Sequence, residues 1–115
     1  MKTSEASSAL SALAHDKRLE IFRLLVKRGP DGFAAGVIAE KLGLPAATLS
    51  FHIKELDRAG LVAARQDGRF IHYSANFTVM RALIGFLTDN CCSLAESARA
   101  TSCSPLVQPV RRKRA

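Results

Sequence analysis

Three cysteines carry the most reactive side chains of this 115-residue chain, and all of them lie in its last quarter. Cys91 and Cys92 are adjacent, and Cys103 follows after an interval of ten residues. Thiolates are soft ligands that select thiophilic ions. Three cysteines cannot pair completely within one chain, which argues against a framework of structural disulfides. The types and spacing of these residues therefore predict a three-thiol site.

The backbone around the adjacent pair decides whether both thiols can reach one ion. On a regular helix Cys91 and Cys92 would diverge by about 100°, so the helix must end or unwind there. Asn90 precedes the pair and tolerates the left-handed geometry of helix ends. In one alternative, Cys91 packs as a small hydrophobic residue on the preceding helix. In another, Cys91 or Cys92 forms a disulfide with Cys103, because adjacent cysteines bridge each other only with strain.

Composition indicates a small, basic, globular protein. The chain has 17 Lys and Arg against 10 Asp and Glu, a formal net charge of +7. Four of these positive charges form the run Arg111, Arg112, Lys113 and Arg114, so residues 1–110 carry 13 minus 10, or +3. A basic balance favours nucleic acid or anionic membrane surfaces. No apolar run approaches the roughly 20 residues of a membrane span, and no apolar signal core opens the chain. We expect a cytoplasmic protein with reduced thiols and no membrane partner.

The periodicity of apolar residues predicts a mainly α fold with a β-hairpin. Five helices are expected, at about residues 5–14, 16–29, 36–42, 45–60 and 77–91. Asp16 is expected to cap the second helix. Alternating residues at 62–66 and 69–74 flank Asp67 and Gly68, a strong hairpin signal. We expect one domain over residues 1–95, and a flexible tail over residues 96–115 that carries Cys103 and the basic end.

The third and fourth helices form a helix-turn-helix, and the hairpin after them forms a wing. In such modules the second helix enters the major groove of DNA. Leu49, Ile53 and Leu56 share one face of this helix and are expected to be buried. Seven of its other residues are predicted DNA contacts, namely Ala47, Thr48, Ser50, Phe51, His52, Lys54 and Arg58.

Each predicted contact follows from the chemistry of its side chain. Hydroxyls suit base edges or phosphates, Lys54 and Arg58 suit phosphates, and Phe51 suits thymine methyl groups. Packing against the third helix or the wing is the alternative for Phe51. His52, at the boundary of this face, is interpreted as a partly buried packing histidine rather than a metal ligand. Arg65 and Arg69 are placed at the hairpin tip to hold phosphates of the adjacent minor groove, a solvated turn being the alternative.

Three segments in this order resemble the ArsR/SmtB family of metalloregulatory repressors. Residues 13–21 resemble its LADPxRxxIL segment, residues 49–62 its SxHLxxLxxAGLV segment, and residues 68–73 its GRxxxY segment. The resemblance covers about residues 10–95. It implies a homodimeric winged helix-turn-helix repressor that binds an inverted repeat in double-stranded DNA and releases it on metal binding.

The resemblance also implies a dimer interface made by the first and fifth helices. The wide apolar face of the fifth helix independently favours a two-fold dimer, which places two recognition helices about one DNA turn apart. The expected interface residues are Leu10, Leu13, Phe77, Met80, Leu83, Ile84 and Leu87.

Comparison with the family's known metal sites narrows the choice of ions that the cysteines are expected to bind. The stretch at residues 33–37 lacks the Cys-Val-Cys element of one arsenic site. The fifth helix carries no histidine, and its only acid is Asp89, so it lacks the paired Asp and His residues of the zinc site. The remaining set, Cys91, Cys92 and Cys103, resembles the arsenic-responsive branch with a vicinal pair closing helix five. Trivalent arsenic, and also antimony, takes three sulfur ligands. The expected inducer is arsenite, with antimony second and no organic cofactor.

The resulting hypothesis is a metalloid-responsive transcriptional repressor. The main alternative is a thiol-redox-responsive winged-helix regulator, and a dimeric interaction module is another. An enzyme is not expected, because no histidine or acid stands near the cysteines to activate a nucleophile. The sequence leaves open the operator, the choice among arsenite, methylarsenite and antimonite, cross-dimer ligation, and the role of the basic tail.

Overall fold

The structure, a computed structural model, describes residues 1–96; Cys103 and the basic end of the chain lie outside the described residues. The elements follow one another along the chain in the order α1 (Thr3–Leu13), α2 (Asp16–Arg28), β1 (Phe33–Ala34), α3 (Ala35–Leu42), α4 (Ala46–Arg58), β2 (Val62–Asp67), β3 (Phe70–Ala75) and α5 (Phe77–Thr88). The five predicted helices and the hairpin are confirmed. The predicted boundary at residue 95 stays a prediction.

A single apolar core joins the helices to the base of the hairpin. Its fully buried large side chains come from α2, α3, α4 and the start of the wing, namely Ile21, Leu25, Ile38, Leu49, Leu56 and Leu61. Removing one such side chain from water contributes about 1.5–3 kcal/mol. The burial of Leu49, Ile53 and Leu56 on one side of α4 is as predicted.

The ends of the helices follow local chemistry, with one difference from prediction. His15, not Asp16, caps α2, because its ring Nδ1 accepts a hydrogen bond from the Lys17 N–H at 3.2 Å. Asp16 is the first helical residue, where its carboxylate faces the positive end of the helix dipole. Gly43 ends α3 in the left-handed conformation, and Pro45 precedes α4. The turn between α3 and α4 is therefore short and fixed.

The sheet has three strands in the order β1-β3-β2, and all pairs are antiparallel. The two-residue strand β1, which the sequence analysis did not predict, pairs Phe33 with Tyr73. The hairpin turn lies one position later than predicted, because Asp67 pairs with Phe70 and the loop consists of Gly68 and Arg69. Gly68 has a φ of +64°, which suits a tight two-residue hairpin loop.

The fifth helix is shorter than predicted. It begins at Phe77, where the Asn76 side chain accepts a hydrogen bond from the Val79 N–H at 3.2 Å, and it ends at Thr88 rather than at Cys91. The Thr88 hydroxyl donates back to the Ile84 carbonyl at 2.8 Å, a local bond that competes with helix continuation. Within residues 1–96, the structure contains no helix with the length and apolar character needed to cross a membrane.

The approach of Gly32 to β3 generates a stability prediction. Gly32 has a φ of +71°, and a Cβ there would overlap the Tyr73 carbonyl, whereas Gly43 has a φ of +64° and open space around it. Gly43→Ala is expected to cost about 1–2 kcal/mol of left-handed strain. Gly32→Ala is expected to cost about 1–3 kcal/mol more from the added clash. Urea unfolding of both variants measures this, and equal losses would contradict the close approach.

Candidate nucleic-acid interface and thiol pair

The outward side of α4 presents a continuous set of exposed polar, cationic and aromatic side chains. Burial of the opposite side against the core forces this orientation, because residues three and four apart share a helix face. Six of the seven predicted contacts on α4 are exposed: Ala47, Thr48, Ser50, Phe51, Lys54 and Arg58. The exposure of this face is therefore as expected, and the DNA contacts of these residues stay a prediction.

Phe51 is the prominent apolar group of this face, with 55% of its surface exposed. The Arg18 guanidinium of α2 lies 5.6 Å from the centre of its ring, within the range of a cation–π contact. The packing alternative placed the ring against α3 or the wing, whereas the contact observed is with α2. One side of the ring is thus held by a cation, and more than half of it stays accessible to a ligand.

His52 is buried, with only 5% of its surface exposed, which agrees with its interpretation as a packing histidine and not with a direct DNA contact. Its Nδ1 accepts a hydrogen bond from the Arg18 Nε–H at 3.2 Å, and its ring lies 4.7 Å from that of His15. Burial lowers the pKa of His52 below 6.5, and the charges of His15 and Arg18 lower it further. A neutral His52 therefore joins α4 to the start of α2 from behind the exposed face.

Arg18 is the residue of this region that the sequence analysis missed. It lies 34 positions before its partner His52, so no local pattern could reveal the pair. Its contact with Phe51 places a further cation beside the exposed face of α4. The one sequence signal for Arg18 is its place in the 13–21 segment, which resembles the ArsR/SmtB family.

The wing borders the other side of α4. A groove with a volume of about 190 Å³ separates the two, and its lining includes Ser50, Lys54 and Asp57 of α4 together with Ala64 and Tyr73 of the hairpin. The hydroxyl and the cation of α4 thus stand beside the base of the wing. The arrangement gives a concave surface, and a ligand that fits it would contact α4 and the hairpin together.

The three arginines predicted to hold phosphates occupy different environments. Only Arg69 lies in the hairpin loop. Arg65 is paired with His72 in the middle of the strands and donates to the Asp31 carbonyl at 3.0 Å, so its placement at the tip was wrong. Arg58, in the last turn of α4, donates to the Glu55 carboxylate at 2.9 Å.

The predicted dimer residues divide into exposed and buried members. Leu10, Ile84 and Leu87 are exposed, the last two by 53% and 59%. Leu13, Phe77 and Met80 are half-buried against the core of their own chain. Leu83 is buried within that core, at 6% exposure, which differs from its predicted place at an interface. The exposed part of the apolar face is therefore narrower than the sequence indicated.

Cys91 and Cys92 lie together just beyond α5, with their sulfur atoms 3.7 Å apart. Asn90 and Cys92 both have positive φ, 57° and 63°, so the chain turns sharply through the pair. The left-handed conformation expected at Asn90 is confirmed. Within residues 1–96, no three His, Cys, Asp or Glu side chains cluster as metal ligands. Since Cys103 lies outside these residues, the three-thiol site stays a prediction.

Fold and site together define a winged helix-turn-helix protein, and comparison with known proteins adds the family. A family described as Helix-turn-helix domain matches residues 13–65. The nodulation protein NolR of Rhizobium meliloti is 38% identical over 84 residues, 73% of this chain and 66% of NolR. The transcriptional repressor SdpR of Bacillus subtilis is 31% identical over 70% of this chain and 87% of its own length.

Solved structures agree with these relatives. An ArsR-like transcriptional regulator from Rhodococcus sp. RHA1 has a TM-score of 0.63 and 27% identity, over 82% of this chain and 95% of the other. Reduced HlyU from Vibrio cholerae has a TM-score of 0.62 and 29% identity, over 78% of this chain and 92% of HlyU. Mb0332 from Mycobacterium bovis is described as a homodimeric winged helix-turn-helix domain and a possible ArsR-family regulator. Its TM-score is 0.62 and its identity 28%, over 82% of this chain and 87% of Mb0332.

The chain belongs to the ArsR-like family of winged helix-turn-helix transcriptional regulators. None of these relatives is named as an enzyme, in agreement with the prediction that the chain is not one. The chain spans just under two thirds of NolR and 53% of two uncharacterized mycobacterial regulators, with which it is 42% identical.

The burial of His52 generates a pH prediction. Because its pKa is below 6.5 in the folded state, the unfolded chain binds more protons as the pH falls below 6.5, and stability falls with it. His52→Gln, which keeps an acceptor for Arg18, is expected to show a weaker loss of stability between pH 7.5 and 5.5. Chemical denaturation at both pH values measures the change. Lys54→Gln, on the exposed face, is the control and should follow the wild type; a His52→Gln slope equal to the wild type's would contradict the assignment.

Proposed function

We propose that this protein is a homodimeric transcriptional repressor that binds an inverted-repeat operator and dissociates from it when trivalent arsenic or antimony binds Cys91, Cys92 and Cys103. The observation that carries the ligand part of this proposal is the 3.7 Å separation of the Cys91 and Cys92 sulfurs at the end of α5.

DNA recognition is supported by the exposed side of α4 and the wing. Thr48 and Ser50 offer hydroxyls to base edges, and Lys54 offers a cation to a phosphate. Phe51, held from one side by Arg18, offers its accessible ring to a thymine methyl group. Arg69 in the hairpin loop adds a cation for the DNA backbone beside the major groove. Phosphate contacts position the protein, and the base contacts of α4 supply specificity.

Dimerisation is supported by the exposed apolar side chains of α1 and α5. Ile84 and Leu87 leave more than half of their surface in water in the single chain, and Leu10 leaves 43%. A two-fold contact through these residues would bury them and bring two α4 helices to successive major grooves of an inverted repeat. The homodimeric description of Mb0332 favours the same arrangement.

The geometry of the thiol pair fits a shared ion. Two thiolates bound to one ion at roughly 2.3 Å each lie at most roughly 4.6 Å apart, and the observed separation of 3.7 Å is within that limit. Once both cysteines are thiolates, they could serve one thiophilic centre without unwinding any helix, because α5 has already ended at Thr88. Cys103 would supply the third thiolate.

Coupling between ligand and DNA is supported by the position of the pair. Leu87 lies four residues before Cys91 on the element that carries the exposed apolar face. Joining the thiols to one ion would restrain the chain at the end of α5 and so change how two copies of α5 meet. Allosteric coupling of this kind is typically about 1–3 kcal/mol, a factor of about 5 to 150 in affinity.

The apolar face of α5 generates a prediction about assembly. Leu87→Asp introduces a charge where a second chain would bury the side chain, and it is expected to shift the dimer toward monomer at micromolar concentration. Val37→Asp on α3, at a partly exposed position outside α1 and α5, is the control. Sedimentation velocity without DNA measures both variants. A monomeric wild type, or a Leu87→Asp variant that stays dimeric, would contradict this interface.

The cysteines generate the prediction that tests the ligand. Stoichiometric arsenite is expected to weaken binding of the reduced protein to its promoter DNA by about 5- to 150-fold. A variant with all three cysteines replaced by serine should bind DNA as the wild type does and should ignore arsenite. Fluorescence anisotropy of labelled DNA measures both properties. Arsenite-driven release that survives in the triple variant would exclude a thiol site.

Oxidation of the cysteines is the second candidate signal. Its support is that Cys92 is disulfide-bonded in this structure, together with the existence of HlyU in a form named as reduced. Under this alternative peroxide would release the reduced protein from DNA, and arsenite would be inert. The same anisotropy titration, repeated with peroxide, therefore separates the two signals.

A further inference from the structure

The tip of the wing is apolar on both of its faces. Phe70 is 63% exposed and Ile71 is 42% exposed, and they are the first two residues of β3. Successive side chains of a strand point to opposite faces. The apolar residues that anchor the hairpin lie at its other end, where Leu61, Val62 and Ala75 are buried. Phe70 is therefore not required by the core, and its ring is available to a ligand.

The tip also combines this apolar surface with a cation in a fixed geometry. Arg69 stands beside Phe70 in a two-residue loop whose first member, Gly68, has a φ of +64°. The Gln66 amide donates to the Gly68 carbonyl at 3.1 Å and braces the loop. A cation such as Arg69 complements negatively charged phosphates, and an aromatic ring such as that of Phe70 complements stacked bases. Both features of DNA lie at its minor groove.

The length of the hairpin agrees with that placement. β2 runs over six residues from the buried Val62 to Asp67 at the tip, a span of about 17 Å at about 3.3 Å per residue. Half a turn of B-DNA is also about 17 Å. When α4 lies in the major groove, the tip therefore reaches the next minor groove. The tip is also continuous with the proposed DNA-binding surface, because Tyr73 and Ala64 of the same hairpin line the groove beside α4.

We propose that Phe70 enters the minor groove flanking the operator as an apolar wedge and partly unstacks one base step. This inference rests on the DNA-binding part of the proposed function and is independent of the ligand that the cysteines bind. Apolar side chains inserted from the minor groove unstack and kink the duplex. Pyrimidine–purine steps such as TA and CA unstack most readily. The wing thus adds a preference for a deformable step outside the base pairs that α4 contacts.

The experiment places 2-aminopurine at a TA step in the flank of the operator, next to the segment protected by α4. Wild-type protein is expected to raise 2-aminopurine fluorescence as it binds, because the base loses its stacking partner. Phe70→Ser is expected to abolish this increase and to lose about tenfold in affinity, the effect of withdrawing one phenyl group from an apolar contact. On an operator with GC steps in both flanks, the two proteins should differ much less.

Arg69→Ala is the matched comparison, because it removes the neighbouring cation and leaves the ring. It is expected to reduce the slope of log affinity against log salt by about one, whereas Phe70→Ser should keep the wild-type slope. Ile71→Ser, on the opposite face, controls for loss of an exposed apolar side chain at the tip. Thermal unfolding of each variant checks that the hairpin base and core are intact.

The outcomes separate this inference from the proposed function. If the wild type binds the operator tightly but Phe70→Ser shows the same affinity and fluorescence increase, the wedge is wrong and the repressor proposal stands. If Phe70→Ser changes the sedimentation coefficient without DNA, the tip docks a second copy of the chain and the wedge is again wrong. If the wild type binds no operator DNA, the DNA-binding proposal itself is overturned.

Discussion

Burial of one side of α4 against the core determines what its other side can do. Leu49 and Leu56 are withdrawn from water almost completely, beside Ile21 and Leu25 of α2. Once these residues are buried, the helical repeat requires Ser50, Phe51 and Lys54 to point outward. The polar and aromatic surface of α4 is therefore a consequence of core packing, and a change in the core would rotate the whole surface.

A second layer of contacts fixes α4 more finely than the apolar core does. Arg18 donates to the buried His52 and lies beside the exposed Phe51, so a single side chain touches both the inner and the outer side of α4. His15 caps α2 with its own ring nitrogen and contacts His52 through its ring. The start of α2 and the recognition surface are thus parts of one polar cluster, and strain at either would be felt at the other.

The length of the fifth helix affects both its exposed apolar strip and the cysteine pair that follows it. Leu83 holds it to its own chain, while Ile84 and Leu87 leave an apolar strip in water. Its end at Thr88 frees the following residues to turn, and the positive φ of Asn90 and Cys92 brings two sulfurs within 3.7 Å. A longer helix would have enlarged the apolar strip but separated the thiols. The early end of α5 therefore places the cysteine pair next to an exposed apolar strip.

Much of this arrangement followed from the sequence, because its determinants are local. Apolar spacing predicted the five helices, and Asn90 predicted the left-handed turn before the cysteine pair. The shift of the hairpin loop by one residue was missed because Gly68 can stand second in an Asp-Gly turn or first in a Gly-X turn, and only strand pairing decides between them.

Contacts between distant residues were decided by tertiary structure alone. The link from Arg18 to His52 spans 34 positions, and the anchoring of Arg65 on the Asp31 carbonyl spans the same distance. The assignment of Leu83 to the core, rather than to an interface, depended on how α5 lies against its own chain. Helical periodicity shows which residues share a face, but only the packed chain determines which neighbour covers that face, and therefore which side chains remain for a partner.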